Sequence, residues 1–505
     1  MDELGLGGSS IVGSQSSIAT LSRQLTRMDG LGITVGVIIG SGIFSSPGVM
    51  LDQVHSVGLW FLCWILSCCV ALLSSLVYAE LGPAFPCAGG DRDYIEAAFG
   101  RRVSFAYTWT MFFVIKSGAQ GILGVTFARY LVSGLHKHAV PASDVSVLVK
   151  MVAIGTVSAL TATNCAFLRM GSTLQNVLTV LKMVLLLLLV CGAVKHNLEP
   201  SDPESVADSD FAPSLPSNAT APAEFAVGSM FDGSNWIGLA PATVAALWAF
   251  DGWNDIVFMA EELKEPGKDL PMIILSGLGI VLAVYLSINV CYLALLDTET
   301  IKNSKVILMD AVNVAFGPRA AQFASILVAL SVLGSLNAST MTGGRLFYAA
   351  ARAGHMPRFM AEINPTTRTP INALLVQNVI AVCILSAPGA TFENLVTYFG
   401  SSSWIWYGIT AMSLIQLRRT DPYRYRPFKA PVAVAALVAL VAAYLVVSEA
   451  VTNLMYTMAS IGFIVISFPV FELFNRLGWM KPVDMNPYPS AVFDIDSPSQ
   501  YLLES

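Results

Sequence analysis

Apolar stretches of about twenty residues recur from residue 31 to about residue 475. In a bilayer no water pairs with exposed N–H and C=O groups, so a spanning segment must satisfy its own backbone. Stretches of this length have the reach of helices that cross the hydrocarbon. Composition agrees: 12% of residues are charged, 55% are hydrophobic and mean hydropathy is +0.65, where a soluble domain carries about 25% charged residues. The expected class is an all-α polytopic membrane protein. Twelve candidate spans cover 31–53, 57–81, 103–133, 145–165, 173–195, 236–260, 270–296, 318–350, 371–388, 392–417, 430–448 and 451–475.

Loop charge sets the expected orientation. With the N-terminus cytoplasmic, Arg345, Arg352, Arg358 and Arg368 fall inside, as do Arg418, Arg419, Arg424, Arg426 and Lys429. The loop 196–235, with seven carboxylates and no Lys or Arg, falls outside. That loop carries a glycosylation sequon at Asn218. Both termini are then cytoplasmic. Residues 1–28 read as a polar tail without a signal peptide, 29–475 as the spanning domain and 476–505 as a second tail. The segment 83–100, with Pro83, Pro86 and Gly89-Gly90, is expected at the cytoplasmic surface or slightly re-entrant. None of the eight cysteines has metal or redox spacing, and buried thiols are expected. The net charge of -6 gives no sign of nucleic acid.

The first span contains V-G-V-I-I-G-S-G-I-F, residues 35–44. Gly36, Gly40 and Gly42 are poor helix formers, and a Gly-Ser-Gly triplet favours a break. The sixth span contains L-W-A-F-D-G-W-N, residues 247–254, a second place for one. Two interrupted spans in matching places point to a transporter's binding site. Numbered this way, spans 1 and 6 head two five-span repeats, which an odd number of spans inverts relative to one another.

Freed N–H groups of Ser41, Gly42 and Ile43 at a half-helix N-terminus suit a carboxylate. The alternative at these positions is close helix packing through small residues. Around Trp248 to Asp251, unwound carbonyls suit an ammonium. Trp248 is sized to close over a ligand or to pack against lipid or core. Asp251 is costly inside a membrane and expected to face a cavity or a partner. It suits an α-ammonium, a cationic side chain, a proton or a helix cap. Lys182, deep in span 5, is expected to hold span 1 against its neighbours where related folds hold sodium, to titrate, or to snorkel. Lys116 is a weaker case of the same kind. Glu80, Glu261 and Glu262 are expected to cap helices or bind loop arginines. His136, Lys137 and His138 form no metal site. No cofactor, metal or enzyme motif is found.

The ordered motifs I-I-G-S-G-I-F (38–44), Y-A-E-L-G (78–82), G-G-D (89–91), W-A-F-D-G-W-N (248–254), E-E-L-x-x-P (261–266), L-G-S-L-N-A-S (333–339) and R-L-F-Y-A-A-A-R-A-G-H-M-P (345–357) resemble those of the L-type amino acid transporters of the amino acid-polyamine-organocation superfamily. The resemblance runs from about residue 28 to 475. It implies a LeuT-like 5+5 inverted repeat and sodium-independent amino acid exchange by alternating access at the plasma membrane. It also implies that Ile38, Ser41, Gly42, Trp248, Ala249 and Asp251 contact the substrate backbone, with Trp248 at the gating position. Lys182 and Asn254 match residues that the family carries in spans 5 and 6. The aspartate variant is similar to the branch that takes cystine and dibasic amino acids, and is shared with neutral-substrate bacterial relatives. Proton-coupled symport and a non-transporting amino acid receptor remain open. The loop at about 134–144 lacks the cysteine with which heteromeric members bind a single-span heavy chain, so no disulfide-linked partner is expected.

Overall fold

A computed structural model describes residues 25–85, 89–135, 147–166, 168–198, 230–364, 366–367, 369–388 and 391–480. Most of both tails, the histidines of the 136–146 loop and Asn218 with most of the acidic loop lie outside the described residues, as do the side chains of Glu261 and Glu262. Among the described residues regular structure is helical, apart from an isolated bridge between Leu25 and Leu263.

The first half comprises α1 (Arg27–Ile38), α2 (Gly42–Val54), α3 (Val57–Ala84), α4 (Asp91–Phe99), α5 (Arg101–Thr110), α6 (Ser117–Leu135), α7 (Val147–Ala166) and α8 (Leu168–Leu198). The second comprises α9 (Leu239–Ala249), α10 (Pro266–Leu295), the short α11 (Thr298–Asn303) and α12 (Ile307–Phe316), then α13 (Pro318–Arg352), α14 (Ile371–Ser386), α15 (Phe392–Thr420), α16 (Val432–Thr452) and α17 (Leu454–Arg476). Each of the twelve candidate segments contains a helix, and those at 31–53 and 236–260 are interrupted. Among the described residues, eight helices are long and apolar enough to cross a membrane, and a ninth span forms if α1 and α2, bent by 40° at their break, count as one. α9 and α14 are shorter apolar helices, of 11 and 16 residues.

α6 and α13 pack along each other at the centre, with α8 against α13 and α14 against α7. α2 lies against α9, and α3 against α10, so the two interrupted segments meet near the middle. A π turn over Met111–Lys116 joins α5 to α6. The Ser117 hydroxyl donates to the Phe112 carbonyl at 2.7 Å, which satisfies an acceptor displaced by the wider turn. π turns often mark functional positions, and this one ends on Lys116.

The segment after α3 carries a partly buried helix. Asp91, Tyr94 and Ile95 of α4 are buried, packed against α5 and α15. Glu80, near the end of α3, is fully buried. It accepts from Arg418 at 2.8 and 2.5 Å and from the Ala430 N–H at 2.8 Å, with Arg426 at 3.3 Å. The expected arginine partners are therefore its partners. The thiols divide: Cys63, Cys68 and Cys291 are buried, while Cys69, Cys191 and Cys383 lie on the outside of the bundle.

Candidate substrate site

The first break is tight. α1 ends at Ile38, and the Gly40 N–H turns back to the Ile38 carbonyl at 2.7 Å. α2 begins at Gly42, and the Phe44 N–H reaches the Ser41 carbonyl at 3.2 Å. The first N–H groups of a helix have no intrahelical acceptor. Among the described residues, none accepts from the Ser41, Gly42 or Ile43 N–H.

Lys182 serves the carbonyls on the other side of this break. Its side chain is wholly buried, and Nζ donates to the Gly36 carbonyl at 2.7 Å and the Ile39 carbonyl at 2.6 Å. The Ser335 hydroxyl is 3.3 Å away and itself donates to Gly36 O at 3.0 Å. Of the three readings left open by the sequence, snorkelling is excluded. Lys182 fastens the end of α1 between α8 and α13.

The second break is looser. α9 stops at Ala249, and Phe250 to Asn254 turn through Gly252 at φ +96°, which a glycine adopts freely. A 3-10 helix follows over Asp255–Glu262. Tyr285 of α10 joins the two breaks: its hydroxyl is 2.9 Å from the Ile38 carbonyl and 2.7 Å from the Ala249 carbonyl, sharing one proton between them. Gly42 allows the contact on the opposite side. A Cβ there would stand 2.2 Å from the Ala249 Cα, closer than any neighbour tolerates. The small-residue reading and the N-terminus reading of Gly42 therefore apply together.

Between the breaks lies a buried cavity of about 50 Å³. At about 10–15 Å³ per water, it holds a few solvent molecules, and it must widen to take an amino acid. Ile38, Ser41, Gly42, Trp248 and Asp251 line it. Three other expected residues stand outside its wall. Ile43 is buried behind it, its carbonyl 3.4 Å from the Tyr292 hydroxyl. Ala249 packs on Gly42. Asn254 lines an adjoining cavity. Trp248 covers the first wall: its indole N–H donates to the Ser41 hydroxyl at 3.2 Å, and its ring meets Phe399 edge-on at 4.7 Å.

Asp251 faces both cavities. It accepts from the Tyr407 hydroxyl at 2.8 Å. Lys116 and Asp255 join it on the wall, 2.6 Å apart as a buried ion pair. Phe399, Tyr407 and Tyr285 were missed in the sequence, because nothing in an apolar span tells which face is turned inward. Asp255 carried a signal: it is a second carboxylate one helical turn after Asp251. Among the described residues, no group of three or more His, Cys, Asp or Glu could hold a metal ion.

Two interrupted helical segments face each other across a cavity that carries Ser41, Lys116, Asp251 and Asp255 on its wall, the arrangement expected of a membrane transporter's binding site. Comparison with known proteins agrees. The amino acid permease family matches over residues 25–468. The b(0,+)-type amino acid transporter 1 of Mus musculus is 30% identical over 472 residues, covering 92% of this chain and 91% of the relative. The Asc-type amino acid transporter 1 of Mus musculus is 30% identical, covering 91% and 82%. The large neutral amino acids transporter small subunit 2 of Homo sapiens is 31% identical, covering 83% and 74%. The chain belongs to the L-type amino acid transporter family of the amino acid-polyamine-organocation superfamily, a family of integral membrane amino acid transporters and not of enzymes.

Proposed function

We propose that the protein exchanges neutral and, through Asp251, cationic L-amino acids across the plasma membrane, independently of sodium and by alternating access. The observation that carries this is the pair of breaks. Unpartnered N–H groups at Ser41, Gly42 and Ile43 suit a carboxylate, and the opposite wall presents Asp251. Sodium independence is supported by Lys182, whose ammonium already meets the carbonyls that a cation between α1 and α13 would meet.

The reading carries a twelve-span topology with it. In that topology α1–α2 and α9 with its 3-10 extension head two inverted five-span repeats. Residues 1–28 and 476–505 are cytoplasmic tails in this reading, and 29–475 is the transporting domain. The Homo sapiens relative is named a small subunit. Here the loop near 134–144 lacks cysteine, so no disulfide-linked heavy chain is proposed.

Proton-coupled symport is the second reading. It is favoured by Asp91, which is buried and accepts from three hydroxyls: Thr410 at 2.8 Å, Tyr107 at 3.3 Å and Tyr78. Counterflow in proteoliposomes separates the two. Exchange predicts that labelled leucine enters only vesicles loaded with amino acid. Accumulation in empty vesicles under an inward proton gradient assigns the protein to symport. Saturable binding without flux assigns it to reception.

A further inference from the structure

Three charged side chains share the cavity: Lys116, Asp251 and Asp255. Each is buried. Asp255 is held on both oxygens, by Lys116 Nζ at 2.6 Å on Oδ1 and by the Thr342 hydroxyl at 2.9 Å on Oδ2. Asp251 is bonded by the neutral hydroxyl of Tyr407 at 2.8 Å, and among the described residues no cation pairs with it. One carboxylate is therefore compensated and the other is not.

We infer that Asp255 is a selectivity-determining residue: by engaging Lys116 in an ion pair it leaves Asp251 as the uncompensated carboxylate of the cavity, available to a cationic substrate side chain. Asp255 does this through Lys116, with both its oxygens already engaged, which makes it a positioning residue for charge. The inference rests on the amino acid exchange reading above and specifies its substrate class.

The charge count shows what happens without it. With Asp255 neutral, the Lys116 ammonium keeps the Thr342 hydroxyl at 3.4 Å and the Phe258 ring at 5.2 Å, neither of them a counterion. Asp251 is then the other carboxylate on the same wall. Lys116 and a substrate guanidinium would compete for it, and net charge at this wall would rise from minus one to zero. Asp91 lines the adjoining cavity with Lys116 and Asp251. Its three hydroxyl partners are untouched by these changes, so its contribution is common to every variant compared.

A purely structural role is the alternative. The pair pins the π turn before α6 to the 3-10 helix, and Thr342 ties in α13. Loss of that tie would lower transport of all substrates alike. Neutralising both partners separates the roles, because a neutral pair leaves no stranded buried charge. The test measures kcat/KM for labelled arginine and labelled leucine in counterflow, using the full chain and its Asp255→Asn and Lys116→Met/Asp255→Asn variants. Asp255→Asn is expected to lower the arginine-to-leucine ratio about tenfold, the scale of one unit charge changing beside a poorly screened carboxylate. The double variant is expected to return the ratio to near the wild-type value, even where both rates fall. Equal loss for both substrates in Asp255→Asn overturns the inference, as does a double variant with the ratio of the single one. If Asp255→Asn is not recovered folded, a wild-type-like ratio in the double variant supports the inference and a collapsed ratio overturns it. Wild-type protein that exchanges leucine but not arginine overturns this inference alone, whereas wild-type protein that moves neither overturns the exchange reading with it.

Discussion

The break between α1 and α2 is closed from behind by a cation, whereas the break after α9 faces the cavity with carboxylates. At the first, Lys182 takes up the exposed carbonyls of Gly36 and Ile39, so the polar groups left over are N–H donors. At the second, Tyr285 takes up the Ala249 carbonyl, and the groups left over include the side chain of Asp251. Interrupting a buried helix frees donors and acceptors together. Which of them the protein satisfies internally decides what remains for a ligand. The first break is suited to a carboxylate, which every amino acid carries. The second is suited to what varies, the side chain and its charge.

Removing the cation should cost most. Lys182→Met deprives two carbonyls and the Ser335 hydroxyl of a charged donor. With charge-assisted bonds at about 1.5–3 kcal/mol each, the expected loss is roughly 3 kcal/mol of stability and all measurable exchange, read by thermal unfolding in detergent and by counterflow. Retained leucine exchange would remove Lys182 from the first break's machinery.

Gly42→Ala comes next. Its Cβ would meet the Ala249 Cα at 2.2 Å and the Ala249 Cβ at 2.5 Å, so the two breaks must separate. A displacement near 1 Å at a site can cost about 100-fold, and a loss of that order in leucine and arginine exchange alike is expected. A Cβ at Gly252 meets only the tip of Val37, at 2.4 Å. There the positive φ is the main penalty, roughly 1 kcal/mol, and Gly252→Ala should be the milder variant. The reverse ranking would show that the contact between breaks is not the tighter constraint.

Asp251→Asn sharpens the division of roles. Arginine exchange should fall about tenfold further than leucine exchange, as one pK unit of lost charge interaction implies. Equal losses would assign Asp251 to the common backbone or to structure. The smallest effect is expected from Tyr407→Phe, which removes one hydroxyl from Asp251. A neutral bond contributes about 0.5–1.5 kcal/mol, so the arginine KM should shift a few-fold while leucine kinetics stay close to wild type.

Both breaks were legible in the chain, because Gly-Ser-Gly and Asp-Gly inside apolar runs contradict the helix around them. Lys182 was legible for the same reason: a lone ammonium nine residues into a span needs a partner. The partners were not. Tyr285 stands in a largely apolar helix, and Phe399 and Tyr407 in one whose small polar residues run consecutively at Ser401 to Ser403, so period alone gives no inward face. The side chains of Ile43 and Asn254 fall outside the wall of the cavity between the breaks, since the turn at each break resets the phase. The interior partners of the 83–100 segment were not legible either: Asp91 finds Tyr78, Tyr107 and Thr410, which lie far from one another in the chain.

The division between the breaks is tested most directly by competition with a substrate stripped of its carboxylate. Inhibition of labelled leucine counterflow by arginine is compared with inhibition by agmatine, which keeps the guanidinium and loses the carboxylate. If the first break holds the carboxylate common to all substrates, arginine competes and agmatine does not, and Asp251→Asn weakens arginine alone. If agmatine competes as well as arginine, the N–H groups of Ser41, Gly42 and Ile43 do not anchor the substrate, and the account of the paired site is wrong.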